Sequence, residues 1–163
     1  MEQLLAGLRA AGEPTRLRLL ALLARGELTV TELTQILRQS QPRVSRHLKL
    51  LCEAGLLERF REGSWVFYRL AASGQVGELA EVLSGLIPQE DIVIARDLER
   101  LEAVRAVRAE KASAYFRANS GEWNRIRSLY VPEDKVEQAM VELGARDGLG
   151  LVADLGTGTG RML

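Results

Sequence analysis

The chain has 163 residues, of which 47% are hydrophobic and 27% are charged, enough for the core of one ordinary domain or two small ones. Its longest apolar run, Leu19 to Ala24, is six residues and far too short to cross a membrane. The single cysteine excludes an intrachain disulfide framework, and the N-terminus lacks the pattern of a secretion signal. We therefore expect a cytoplasmic protein that does not associate with membranes.

The formal net charge is zero, but the charge is divided unevenly along the chain. Residues 1–70 contain 11 Lys and Arg against 7 Asp and Glu, or +4, whereas residues 71–163 contain 11 against 15, or −4. A surface that neutralises a phosphate backbone needs such a local positive excess. A solvated helix face is the simpler explanation of an Arg-rich segment, and the motifs that accompany this one favour DNA binding.

The first predicted elements are an amphipathic N-terminal segment and a short helix. The N-terminal segment carries Leu4, Leu5 and Leu8 on one face. The short helix begins at Thr29, because Thr29 and Glu32 have the spacing of a capping box and an apolar stripe follows them.

A second short helix follows after a gap of the length of a tight helix–helix turn. Ser40 can cap it, and Pro42 is tolerated in its first turn because the missing N–H would have no helical partner there. Val44, Leu48 and Leu51 share one apolar face. The opposite face is polar and cationic, which suits contact with base edges and phosphates. The predicted DNA-binding residues of this helix are Gln41, Arg43, Ser45, Arg46, His47 and Lys49.

A β-hairpin is predicted directly after this helix. Gly55 ends the helix, and two β-prone runs, 57–61 and 65–70, flank the turn-prone residues 62–64. A basic hairpin after a helix-turn-helix forms a wing beside the DNA. The arginines expected to reach the DNA backbone are Arg59, Arg61 and Arg69.

Residues 12–70 resemble the winged helix-turn-helix of the ArsR-type bacterial repressors. The resembling stretches are 13–17, 27–33, 40–48, 53–57 and 61–70. The resemblance implies a symmetric homodimer that binds an imperfect palindrome in double-stranded DNA and leaves it when an inducer arrives. It also implies that Gln41, Ser45 and Arg46 occupy base-reading positions.

One departure from that family concerns metals. Metal-sensing members carry a Cys-x-Cys pair where this chain has Thr29 and Thr31. A transition-metal site needs several thiolate, imidazole or carboxylate ligands in one place. The only cysteine and the only histidine are Cys52 and His47, which we interpret as a buried apolar residue and as a packing or phosphate contact. We therefore expect no metal site.

Beyond a break at 72–74, a third helical pattern extends to Pro88. Its apolar stripe consists of Val76, Leu79, Ala80, Leu83, Leu86 and Ile87. This stripe and that of the N-terminal segment either cap the core of their own domain or form a dimer interface, and we favour the interface.

The next helix is predicted over residues 91–118, where no Pro or Gly interrupts the chain. Ile94, Leu98, Leu101, Val104 and Val107 recur every three or four residues. At ~1.5 Å per residue the helix would be about 42 Å long. Its alternating charges are interpreted as a solvated face. They are Arg96, Asp97, Glu99, Arg100 and Glu102.

A second specific motif lies near the C-terminus. A strand-like run, 151–155, leads into glycines at every second position, which let a backbone pass close to a ligand. The segment resembles the first motif of class I S-adenosylmethionine-dependent methyltransferases. That resemblance implies cofactor contacts at Asp154, Gly156, Gly158 and Gly160.

The predicted fold is mainly α with a small β-hairpin: a winged helix-turn-helix domain, 1–87, a connecting helix, 88–120, and the beginning of a methyltransferase domain, 121–163. A methyltransferase sheet needs several parallel strands, and only one is predicted here. We therefore expect the front part of a longer fusion, no catalysis and no cofactor in this chain, and S-adenosylmethionine in the complete parent. DNA-binding regulation is the favoured function. The alternatives are a methyltransferase with a winged-helix targeting module and a protein–protein interaction module.

Overall fold

The computed structural model of the protein describes residues 1–119 together with Lys135, Gln138, Ala139 and Glu142. The described elements are α1 (Glu2–Ala11), α2 (Pro14–Leu23), β1 (Leu28–Thr29), α3 (Val30–Leu37), α4 (Gln41–Glu53), β2 (Leu57–Glu62), β3 (Trp65–Leu70), α5 (Gly74–Leu86) and α6 (Ile92–Asn119). The chain divides into two units, Met1–Val107 and Arg108–Leu163. The mainly helical fold with a small antiparallel sheet agrees with the prediction, and α1 to α5 and the sheet lie in the first unit.

The helix-turn-helix consists of α3 and α4, as predicted. Thr29 Oγ1 accepts from the Glu32 N–H at 3.3 Å, and Glu32 Oε2 accepts from the Thr29 N–H at 2.8 Å, so the capping box is confirmed. α3 ends where Arg38 adopts a left-handed conformation with φ of 53°. α4 begins after Ser40, which occupies the capping position without a side-chain hydrogen bond to the helix.

The predicted hairpin is present and belongs to a three-stranded sheet with the order β1-β3-β2. β2 and β3 are antiparallel, with Glu62 paired to Trp65 beside the turn. Gly63 has φ of +58° in this turn, a conformation that glycine adopts without steric cost. β1, a two-residue strand that pairs with β3, was not predicted.

The core lies between α2, the helix-turn-helix and the sheet. α2 was not singled out as a helix by the sequence pattern, yet all of its last five residues, 19–23, are buried. Each fully buried leucine contributes about 2 kcal/mol through removal of apolar surface from water. The side chains that are fully buried here include Leu19, Leu20, Leu33, Ile36, Leu48, Leu51 and Leu56.

α1 and α5 pack against each other at Gly7 of α1. A Cβ on Gly7 would lie 2.9 Å from Leu79 Cδ2, so the helices approach closely at this point. Each helix therefore caps the core of its own domain with one face. Their outer faces nevertheless expose large apolar side chains, which leaves the dimer interface as a prediction. These side chains are Leu4, Leu5, Leu8, Val82 and Leu86.

The long helix α6 has nearly the predicted bounds. Asp91 Oδ1 accepts from the N–H groups of Val93 and Ile94 at 2.9 and 3.1 Å, which caps the first turn. The interpretation of its charges as a solvated face was wrong for Asp97. Asp97 is only 1% exposed, because it lies against arginines of the helix-turn-helix domain and of α6 itself.

The predicted methyltransferase segment lies outside the described residues, apart from the four single residues named above. The proposed cofactor contacts Asp154, Gly156, Gly158 and Gly160 therefore stay predictions, as does the domain division at residue 121. In the described part of the chain, every helix is too short or too polar to span a membrane.

Candidate nucleic-acid interface

The helix α4 separates its buried and exposed residues cleanly. Val44, Leu48 and Leu51 are buried against the core, as the apolar stripe predicted. Ser45 is half-buried at the edge of the exposed surface. The predicted DNA-binding residues that lie fully on the exposed side are Gln41, Arg43, Arg46 and Lys49.

Arg46 points most directly away from the core. At about 100° per residue, it lies roughly 160° to 200° around the helix from both Val44 and Leu48. Within the described residues, neither Arg43 nor Arg46 forms a salt bridge with a carboxylate. Lys49 has Glu53 at 3.7 Å, but both side chains are more than half exposed, so the pair contributes little. This face therefore presents positive charge and hydrogen-bond donors to the solvent.

His47 lies apart from this surface. Its side chain is 14% exposed, and its Nδ1 is buried 3.5 Å from Glu13 Oε2 without a hydrogen bond. Burial lowers the pKa of His47; Glu13 opposes this change, while Arg16, Arg43 and Arg46 add to it. The neutral ring packs α4 against the start of α2, and the prediction of a DNA contact gains no support here.

The wing carries its arginines on two different faces. Arg59 is paired with Tyr68 and Arg61 with Val66, and directly paired residues of antiparallel strands lie on the same face. Both arginines are exposed, and no salt bridge engages them within the described residues. They place two exposed positive charges on one face of the hairpin, and Arg59 lies near Cys52 of α4.

Arg69, by contrast, is occupied on the opposite face. Its guanidinium lies 3.2 Å from Glu58 and 3.5 Å from Glu27, and it stacks 4.9 Å from the centre of the Phe60 ring. With two carboxylates beside it, Arg69 adds no net positive charge, so its expected reach to the DNA backbone is not supported.

Trp65 is a candidate contact residue that the sequence reasoning missed. It stands next to the turn of the hairpin, and 61% of its surface is exposed. The signal that could have revealed it is an aromatic residue placed directly after the turn-forming Gly63 and Ser64. An exposed aromatic side chain at a hairpin tip can pack against a sugar or a base edge.

Cys52 lies on the inner side of α4, half-buried near Arg59 and Tyr68. Burial raises the pKa of its thiol, Arg59 opposes this change and Glu53 adds to it, so the thiol stays protonated at neutral pH. Across the described residues, no group of three His, Cys, Asp or Glu side chains lies close enough to hold a metal ion.

Comparison with known proteins agrees with this geometry. Residues 13–59, from the start of α2 to the wing, match the family model described as bacterial regulatory protein, arsR family. An HTH-type transcriptional regulator from Methanocaldococcus jannaschii is 37% identical over 79 residues, which cover 48% of this chain and 88% of the relative. The chain belongs to the ArsR family. The resemblance of residues 12–70 to ArsR-type repressors is therefore confirmed, whereas that of the C-terminal glycine motif to methyltransferases stays a prediction.

Two further relatives extend the comparison. The biofilm growth-associated repressor of Agrobacterium fabrum is 38% identical over 87 residues, or 52% of this chain and 74% of the relative. The arsenic resistance transcriptional regulator ArsR1 of Pseudomonas putida is 52% identical over 63 residues, or 38% of this chain. This chain spans about half the length of that regulator, 49%.

Among solved structures, the transcriptional repressor BigR from Xylella fastidiosa has the same fold. It is 30% identical, with a TM-score of 0.50, and the match covers 55% of this chain and 88% of BigR. The arrangement of α3, α4 and the hairpin is therefore that of a solved transcriptional repressor.

Proposed function

We propose that this ArsR-family chain is a transcriptional repressor that binds a specific DNA sequence through α4 and the wing. The observation that carries the proposal is the outward surface of α4, where Arg43 and Arg46 are exposed and engage no carboxylate among the described residues. Arg46 supplies two parallel N–H donors that match the edge of a guanine. Arg59 and Arg61 of the wing neutralise the adjacent phosphates.

The active form in this proposal is a homodimer on a palindromic site. Support comes from the apolar side chains that α1 and α5 leave exposed, of which Leu86 at 72% is the most accessible. Large apolar side chains exposed on neighbouring helices favour an interaction site. Two α4 helices related by a two-fold axis would enter successive major grooves about 34 Å apart.

Metal binding is not part of the proposed mechanism. Thr29, at one of the two positions where metal-sensing members carry cysteine, is committed to the capping box of α3. The lone Cys52 lies on a different helix with its thiol protonated. We therefore propose an inducer other than a transition metal.

Fluorescence anisotropy with a labelled duplex from the promoter of the protein's own operon tests this function. We expect the affinity to fall steeply between 50 and 200 mM salt, because each neutralised phosphate releases counterions. Arg43→Ala combined with Arg46→Ala should abolish the preference over a scrambled duplex. Arg96→Ala, an exposed arginine on α6, is the matched control and should leave the affinity unchanged.

Two results would overturn the proposal. An affinity that does not depend on salt would mean that phosphate neutralisation does not hold the complex. Equal losses in the Arg43/Arg46 variant and in the Arg96 control would mean that the surface of α4 is not the contact, and would favour the interpretation as a protein–protein module.

S-adenosylmethionine is the ligand of a second candidate function, a methyltransferase with a winged-helix module. Its support is the sequence Asp154-Leu-Gly-Thr-Gly-Thr-Gly160 alone. Calorimetry with S-adenosylmethionine is the test. A micromolar dissociation constant would support this function. Absence of a heat of binding would contradict it.

A further inference from the structure

The carboxylate of Asp97 joins α6 to the helix-turn-helix domain. Arg18 Nε donates to Asp97 Oδ2 at 2.5 Å, and Arg18 Nη2 donates to Asp97 Oδ1 at 2.9 Å, which makes the pair bidentate. Arg100 Nη1 donates to the same Oδ1 at 3.1 Å. One buried carboxylate therefore orients two guanidinium groups, one from α2 and one from α6.

Both guanidinium groups also bind the end of α3. Arg100 Nη1 donates to the carbonyl of Ile36 at 3.2 Å, and Arg18 Nη2 donates to the carbonyl of Leu37 at 3.4 Å. These are the last two residues of α3, whose carbonyls have no partner within the helix. The next residue, Arg38, begins the turn that leads into α4.

A second polar contact holds α6 at a point further along the helix, at Arg105. The side chain of Arg105 donates to the carbonyl of Arg25, just beyond the end of α2, and Gly26 leaves room for this close approach. Asp97 and Arg105 are about 12 Å apart along α6. Because these two contacts lie at separate points, α6 is held in direction as well as in position.

Attachment of α6 does not itself require the buried charges. Ile94, Leu101 and Val104 are buried in the common core and hold the helix by apolar contact. A buried ion pair is frequently no more stabilising than apolar residues of the same volume. What Asp97 adds is direction: it orients the guanidinium groups of Arg18 and Arg100. These groups donate to the C-terminal carbonyls of α3, where the turn into α4 begins.

We propose that Asp97 is a positioning residue for DNA recognition, and that α6 sets the orientation of α4 through Arg18, Arg100 and the end of α3. The inference rests on the proposed DNA-binding function. Any ligand or partner that displaced α6 would release these carbonyls and reduce sequence-specific binding. Non-specific binding would change little, because no phosphate contact is lost.

The decisive measurement is the ratio of specific to non-specific affinity in Asp97→Asn. The amide removes the charge that orients both arginines while keeping the size of the side chain. We expect the affinity for the operator to fall at least ten-fold and that for a scrambled duplex less than two-fold, with the salt dependence unchanged. Glu99→Gln makes the same chemical change at an exposed site on α6 and should leave the ratio unchanged.

Misfolding predicts a different outcome, since a smaller folded fraction lowers both affinities equally. If Asp97→Asn does not fold, the combined variant Arg18→Met, Asp97→Leu, Arg100→Met replaces the cluster by apolar side chains. We expect that variant to fold and to show the same reduced ratio. A wild-type ratio in either folded variant, or equal loss of both affinities, would overturn the role of Asp97.

Hydrogen exchange without DNA separates this inference from the proposed function. In Asp97→Asn the amide of Gln39, which donates to Thr34 across the turn, should exchange at least ten-fold faster. The amide of Ala54 at the far end of α4 should keep its rate. If the wild type shows no specific complex, the proposed function fails, and these two amides still decide whether Asp97 holds the turn. Equal acceleration of exchange at both amides, or no acceleration at either, would overturn the positioning role of Asp97.

Discussion

Two groups of arginines in the described part of the chain differ in their neighbours. Arg43, Arg46, Arg59 and Arg61 are exposed, and among the described residues no carboxylate forms a salt bridge with them. Arg18 and Arg100 share the buried carboxylate of Asp97 instead. We call the first four the external group and the last two the internal group. The position of the nearest carboxylate therefore decides whether an arginine presents its charge to the solvent or holds two helices together.

This difference has an electrostatic consequence. An exposed arginine without a carboxylate keeps its full field and can release counterions from DNA. An arginine held by a buried carboxylate has lost that field but gains direction from a bidentate hydrogen bond. The positive excess of residues 1–70 thus overstates how many arginines can contact DNA.

The largest expected effect is the loss of stability when Asp97, the carboxylate of the internal group, is removed. Asp97→Ala leaves two arginines around an uncompensated site, so we expect the free energy of unfolding to fall by about 3 kcal/mol. Urea denaturation followed by circular dichroism measures this change. Asp91→Ala, which removes only the cap of α6, should cost about 1 kcal/mol. Similar losses in the two variants would mean that the buried carboxylate is unimportant for stability.

Removal of an arginine of the external group is expected to affect DNA binding and not stability. Arg46→Ala should leave the free energy of unfolding unchanged and weaken operator binding by about 1–3 kcal/mol, with relaxed preference at one base pair. Anisotropy titrations with operators substituted at each position would detect it. A uniform loss across all duplexes would reassign Arg46 to a phosphate contact.

A smaller effect distinguishes the two faces of the wing. Arg61→Ala should weaken binding to every sequence several-fold and reduce the salt slope by about one, because one phosphate contact is lost. Arg69→Ala should leave that slope unchanged, since Glu27 and Glu58 already neutralise this side chain. A reduced slope in the Arg69 variant would contradict the division of the wing into two faces.

The smallest expected effect is the pH dependence of stability that His47 causes. Because its pKa in the folded state lies below the ordinary 6.5, the native state resists protonation, and stability is lost as the pH falls from 6.5 through the folded pKa. His47→Gln should remove this loss. Glu13, whose pKa is also lowered, titrates below 4.5 and does not interfere. Thermal unfolding at pH 7.0, 6.0 and 5.5 checks it, and parallel curves for wild type and variant would contradict it.

Local patterns predicted the helix-turn-helix and the wing correctly. The capping box at Thr29, the apolar stripe of α4 and the turn at Gly63 each depend on residues close in sequence, so the sequence alone identifies them. The same patterns failed for α2. Its last five residues, 19–23, are all buried, so it lacks the polar face that reveals an amphipathic helix.

The sequence predicted which residues of the candidate site are exposed, but not which side chains contact each other. Solvent exposure of Arg43 and Arg46 follows from helical periodicity, whereas the packing of His47 against Glu13 depends on how α4 meets α2. Asp97 was misinterpreted for a stronger reason. Its partner Arg18 lies 79 residues away in the sequence, and no local pattern specifies a contact at that separation.

The 79 residues between Arg18 and Asp97 mean that Asp97 is synthesised well after the helix-turn-helix. A nascent chain that has emerged only as far as the wing already contains α3, α4 and every arginine of the external group. It still lacks the carboxylate that orders the turn between the two helices, because residue 97 has not been translated. If Asp97 has the proposed positioning role, full sequence selectivity is acquired only after α6 leaves the ribosome.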